Sequence, residues 1–208
     1  MNATTKVRNV AALVFTGVLA FGLSACGSSD RSSMDMTSTT AAAAGANVEH
    51  NAADVTFVQN MIPHHTGALD MAKLAATNAS SSEVKTLATQ IEGAQQPEID
   101  TMNGWLKAWG QATIDPTTAG HSAMGHDGST MPGMMSEDSM AKLQAAKGTE
   151  FDRQFLQMMT EHHQGAIEMA KTELLGGQSA DAKALAQSII ASQQAEVDRM
   201  GQLLSQLG

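Results

Sequence analysis

Residues 62–73 read IPHHTGALDMAK, and residues 160–171 read TEHHQGAIEMAK. Two adjacent histidines, a glycine and a methionine recur in the same order at an offset of 98. Working outward, the longer stretch FVQNMIPHHTGALDMAK (57–73) matches FLQMMTEHHQGAIEMAK (155–171) at ten of seventeen positions. At the same offset, VKTLATQIEGAQQPEIDTMNGWL (84–106) matches AKALAQSIIASQQAEVDRMGQLL (182–204) at ten of twenty-three. No gap is needed, so the chain holds two copies of one unit.

Each copy reads as a helical hairpin. Ala, Leu, Met, Gln, Glu and Lys dominate, Tyr is absent, and apolar residues recur with helical spacing. Turn chemistry falls at TNASSS (77–82) and GGQSAD (176–181). The pattern predicts helices over about 53–77, 82–109, 148–175 and 180–207. Four amphipathic faces are most economically buried as an all-α four-helix bundle of two tandem hairpins, spanning 53–208.

At 100° per residue, Phe57, Met61, His64, His65, Ala68 and Ala72 share one face of the first helix, with Met71 at its edge. Asp70 and Lys73 point away. The third helix repeats this with Phe155, Met159, His162, His163, Ala166 and Met169. On the partner helices, Glu98 and Met102 lie in the stripe that runs from Leu87 to Trp109 and includes Ala94. Glu196 and Met200 lie in its counterpart from Leu185 to Leu207. A carboxylate centred on a core stripe is costly unless something cationic meets it, and the inward histidines, or a metal they share, are the candidates. Gly67 and Gly165, just after the histidines, permit either close helix packing or room for a ligand. Pro63 and Pro97 have no counterpart in the second half and predict a kinked first hairpin with an unequal site.

Imidazole with thioether suits copper, above all Cu(I). Zinc gains little from Met, and hard cations such as Ca²⁺ or Mg²⁺ would not choose these side chains. The candidate ligands are therefore His64, His65, Met61, Met71, Glu98, Met102, His162, His163, Met159, Met169, Glu196 and Met200. Between the hairpins, residues 110–147 form a Gly-rich linker without helical periodicity, expected to be mobile. It carries a second candidate set for capturing copper: His121, Met124, His126, Met131, Met134 and Met135.

The N-terminal 25 residues read as a leader. Lys6 and Arg8 precede an apolar run from Val10 to Leu23, and LSAC places small residues directly before Cys26. That arrangement resembles a bacterial lipoprotein signal, with Cys26 acylated and residues 26–52 a Ser/Thr/Ala-rich tether. Cys26 is the sole cysteine, so neither a disulfide nor a thiolate ligand is expected. Loss of Lys6 and Arg8 takes the formal charge from −9 to −11, which excludes nucleic acid and anionic lipid as partners. The expected location is the extracytoplasmic face of the cell membrane, held there by lipid.

The doubled HHxGAxxMA, in an exported chain, resembles the bacterial family known as domain of unknown function 305, over about residues 50–207. That resemblance implies a ferritin-like four-helix bundle and, for some members, copper binding and resistance. Carried over by position it points to His64, His65, Met71, His162, His163 and Met169. The leading expectation is a membrane-tethered protein that sequesters copper or passes it to copper-handling proteins. A ferritin-like metal oxidase or storage protein, using iron, wants Glu-x-x-His, and the chain has none. No nucleophile motif supports an enzyme. A metal-free structural lipoprotein, whose His and Glu satisfy one another, is the remaining alternative.

Overall fold

In a computed structural model of the chain, the structure describes residues 49–117 and 131–207. The leader, Cys26, most of the tether, and His121, Met124 and His126 lie outside the described residues. Four long helices form two antiparallel hairpins: α1 (Ala52–Asn78) with α2 (Ser82–Ala108), and α4 (Gly148–Gly176) with α5 (Ala180–Gln206). A short helix, α3 (Glu137–Ala145), precedes the second hairpin. The all-α, two-hairpin expectation holds, with helix ends within two residues of those read from sequence.

Local chemistry explains the boundaries. Asn51 caps α1, accepting from the Ala53 and Asp54 amides at 2.7 and 3.3 Å, while Asp54 accepts from the Asn51 amide at 2.6 Å. This is a reciprocal capping box. Ser81, Ser136 and Ser179 cap α2, α3 and α5 through single hydroxyl contacts, each cap contributing about 1 kcal/mol.

Three expectations need correction. The tether ends earlier than residue 52, because Asn51 also donates to the Gly176 carbonyl at 2.9 Å and His50 stacks on Trp109. The linker is not devoid of helix: Ser136 caps α3, Glu137 and Asp138 complement its dipole, and Leu143 is buried with Met140 packed beside it. Two apolar residues three apart over nine positions are too few to show as a period. Ala94, assigned to the apolar stripe, is exposed.

Each hairpin packs internally, and the two meet mainly through α1 and α4, while α2 and α5 barely touch. The apolar core divides into two clusters. One joins the C-terminal half of α1 to the N-terminal half of α4 through Met71, Ala75, Phe151 and Phe155. The other joins the opposite halves through Phe57, Met61, Ile62 and Ala166. The four histidines lie mid-helix, and all are buried. The bundle is therefore apolar at both ends with a polar layer across its waist.

Both hairpins are also clasped by a buried aspartate that the sequence reading passed over. Asp54 of α1 accepts from the Gln178 and Ser179 amides at the other hairpin's turn, at 3.0 and 2.9 Å. Asp152 of α4 does the same for Ser80 and Ser81, at 3.1 and 3.0 Å, and also takes the Ser80 hydroxyl. The two aspartates are 98 residues apart, so the duplication built the clasp as well.

Candidate metal centre

The waist holds the repeat's histidines, and each pair divides its labour. His65 Nε2 donates to Glu98 Oε2 at 2.7 Å, and His163 Nε2 donates to Glu196 Oε2 at 2.7 Å. Both rings are fully buried and both carboxylates one-fifth exposed. The cationic or hydrogen-bonding partner demanded by Glu98 and Glu196 is thus histidine. Pro63 and Pro97 do not make these contacts unequal, and both helices run through their prolines without a break.

The other two histidines meet each other. His64 and His162 stack with ring centroids 3.7 Å apart and planes inclined by 16°. His64 Nε2 donates to the Pro132 carbonyl at 3.1 Å. His162 has a carbonyl at each nitrogen, Gly133 O at Nδ1 and His64 O at Nε2, both at 2.8 Å. Burial, then the neighbouring His162, holds His64 well below the usual imidazole range. Burial pushes His162 down to about 4, against the upward pull of the Gly133 carbonyl. A neutral His162 can donate to only one of its two carbonyls, leaving a lone pair facing the other. Neutral imidazoles are also the form that metals bind.

A strap formed by residues 131–135 seals this layer on one side. It crosses so close to Gly165 that a Cβ there would sit 2.1 Å from the Pro132 carbonyl oxygen. Gly165 is thus a close-approach glycine, though for the strap rather than for a helix. Gly67 has more room, a Cβ there meeting the His162 ring at 3.4 Å and the Met134 methyl at 3.9 Å.

Among the described residues, no three or more His, Asp or Glu side chains converge as a metal cluster. The predicted ligands do not form one polyhedron: the four histidines share the waist, while Met71, Met159 and Met200 pack in one apolar cluster and Met61 and Met102 in the other. Met61, Met71, Met102, Met159 and Met200 are fully buried, whereas Met169 is half-buried. What the waist does offer is unpartnered nitrogen. The Nδ1 atoms of His64, His65 and His163 are buried without a hydrogen-bond partner. In the tautomer that donates from Nε2 to a carboxylate, Nδ1 carries a free lone pair. Carboxylate–histidine pairs of this kind orient ligating imidazoles in metal sites. The residues present therefore fit a soft, low-coordinate ion better than one needing many oxygens.

Gln95 and Gln193, again 98 apart, were missed. Both are buried with an unpartnered Oε1 on the stripes that carry Glu98 and Glu196. Their signal was the QQ recurring within the aligned block. Met140 was missed because its helix was.

The family profile described as "Domain of unknown function (DUF305)" matches residues 54–204. A DUF305 protein from Streptomyces coelicolor is 33% identical over 75% of this chain and 94% of its own, with a TM-score of 0.66. A DUF305 fragment from Deinococcus radiodurans is 31% identical over 75% and 97%, also at 0.66. CopM in its Cu(II)-bound form is 33% identical over 74% and 97%, at 0.62. CopM is likewise similar in its Cu(I)-bound and silver-bound forms, at TM-scores of 0.59. No protein of curated function matches the chain. With the profile spanning most of the sequence, and the doubled histidine motif inside it, the chain belongs to the DUF305 family.

Proposed function

We propose that this protein binds copper outside the cytoplasm, sequestering it or passing it on, through imidazole nitrogens and thioethers at the waist of the bundle. The observation that carries this reading is the pair of buried Nδ1 atoms on His65 and His163, each unpartnered while Glu98 or Glu196 engages the ring's other nitrogen. A purely structural histidine would have both nitrogens satisfied. The buried sulfurs of Met61, Met102, Met159 and Met200 belong to the same interior, and Met71 and Met169 flank it. Glu98 and Glu196 act as orienting groups in this reading, one step back from the ion. CopM, a relative with copper-bound and silver-bound forms, supports the cargo. Zinc and iron fit less well, since a di-iron oxidase needs several converging carboxylates and both waist glutamates are engaged by histidine.

Export rests on the leader, and tethering on acylation of Cys26. Among the described residues no helix is long and apolar enough to cross a membrane. Copper-handling proteins are the proposed partners.

The absence of a preformed cluster among the described residues favours one competing reading, a metal-free structural lipoprotein. Anaerobic titration of the purified protein with Cu(I), against a chromophoric competitor, decides between them. His65→Gln with His163→Gln keeps a donor for each glutamate and removes the two free nitrogens on the glutamate-bound rings, leaving that of His64. Loss of tight binding in that variant supports the copper reading. Equal binding in both proteins overturns the His65 and His163 site, and no competition from the wild type leaves the structural reading standing.

A further inference from the structure

The waist opens on one side into a groove of about 870 Å³. Its walls carry four methionines from three separate segments: Met71 of α1, Met134 and Met135 of the strap, and Met140 of α3. His162 forms part of the same wall, and Gly67 faces both the His162 ring and the Met134 methyl. We infer that this groove is a separate thioether site for a soft monovalent cation, Cu(I) or Ag(I), and the point at which the ion first meets the fold. The inference rests on the copper reading above and adds Met134, Met135 and Met140, which that reading does not use, to Met71, which it does.

Three features carry it. Met71 is a core residue, yet it also borders the groove, so one sulfur is held by packing. Met134, Met135 and Met140 are half-buried on the groove wall, and Met135 and Met140 are also anchored against the apolar core. Packing alone would favour Leu or Ile at such positions, since Met is the poorer specifier of a core. Thioethers are neutral soft donors, and four of them on one groove favour a soft ion over Zn²⁺, Ca²⁺ or Mg²⁺. Finally, the groove ends at His162, whose ring stacks on His64. The thioether site and the imidazole layer are thus in direct succession. Both His162 nitrogens already face carbonyls, and Asp70 on the groove wall is paired with Lys73 at 3.4 Å, so the four thioethers are the soft donors the groove offers, with the Glu137 carboxylate also on its border.

Met134→Leu, Met135→Leu and Met140→Leu together preserve volume and remove three sulfurs from half-buried positions, which the fold tolerates. The probe is Ag(I) alone, read as bound equivalents and as the sulfur shell in X-ray absorption at the silver edge. The triple variant should lose one equivalent of Ag(I) and part of that shell, while keeping the histidine-dependent Cu(I) binding. Met71→Leu should weaken the same equivalent without abolishing it. A triple variant with the full Ag(I) complement and an unchanged sulfur shell overturns the groove site and leaves the waist reading intact. Loss of that equivalent in His65→Gln/His163→Gln, but not in the triple variant, assigns it to the waist and also overturns the groove. A wild type that binds neither ion ends both readings.

Discussion

The two hairpins come from one duplicated unit, yet they are alike inside and unlike at the rim. His65–Glu98 and His163–Glu196 have the same length, and both aspartate clasps and both orphaned glutamines recur. The strap breaks the symmetry. It presses on Gly165 while leaving a groove over Gly67, and it engages His64 and His162 through different carbonyls. Interior contacts that a second copy inherits are self-consistent and change little. A single connecting segment cannot obey a twofold, so the accessible, asymmetric features gather along it.

The largest test of this contrast is at the paired glycines. Gly165→Ala places a methyl 2.1 Å from strap backbone, so the strap must lift, at a cost of about 2–3 kcal/mol in denaturant unfolding. Gly67→Ala meets only side chains at ordinary contact distance and should be neutral or stabilising by up to about 1 kcal/mol. Equal effects at the two positions would mean the strap does not hold its observed place. Hydrogen exchange at Met134 and the flanking strap amides should rise in the first variant only.

Next come the symmetric ion pairs. Glu98→Ala and Glu196→Ala each leave a buried histidine donor unpaired, and each should cost about 1–3 kcal/mol. If they orient ligating nitrogens, each also weakens Cu(I) binding by about 10–100-fold. The contrast is sharpened if the two variants match within error, and broken if one half dominates.

The two clasps differ in one neighbour, and pH exposes it. Beside Asp54 lies Glu173 of α4, whose counterpart in α1 is Ala75. Burial, with Asp54 adjacent, raises Glu173 to about 8. Neither Glu173 oxygen meets a donor, so the ionised form is unsupported, while the protonated form can donate to Asp54. Asp54 goes the other way: burial alone would raise it, but the Asn51 amide, Glu173 and the Gln178 and Ser179 amides together lower it. In the unfolded chain Glu173 ionises near 4.5, in the fold near 8. Its contribution to stability therefore falls as pH rises between those values and is level above them. Glu173→Gln should flatten that fall and raise stability at neutral pH, read from the denaturation midpoint between pH 5 and 8.5. Asp152→Asn, which leaves Glu173 in place, should lower stability while keeping that fall.

The smallest expected effect is at the turn caps. Ser81→Ala and Ser179→Ala each remove one hydroxyl acceptor and should each cost about 0.5–2 kcal/mol, equally in the two halves. A clear inequality would show that the turns are not equivalent, despite their matching aspartate clasps.

The sequence by itself determined the four long helices, the duplication and the inward histidines, because helical period and a gapless offset are local properties. It also determined that Glu98 and Glu196 need a partner, since a carboxylate on an apolar stripe demands one wherever the chain folds. It supplied the family through the doubled motif. Tertiary structure alone decided which partner each group took. Helical phase put His64 and His65 on one face, but only the packing of α1 against α4 sent His64 to stack on His162, and that of α1 against α2 sent His65 to Glu98. Phase likewise placed Asp54 and Asp152 near helix starts without showing that each clasps the opposite turn. The strap's path was illegible because its contacts are made by Pro132 and Gly133 carbonyls, and backbone acceptors carry no residue signature. Met134 and Met135 read as members of a linker copper set, and Met140 was not singled out. Distance along the chain said nothing of their meeting Met71, and that juxtaposition exists only once the bundle has closed.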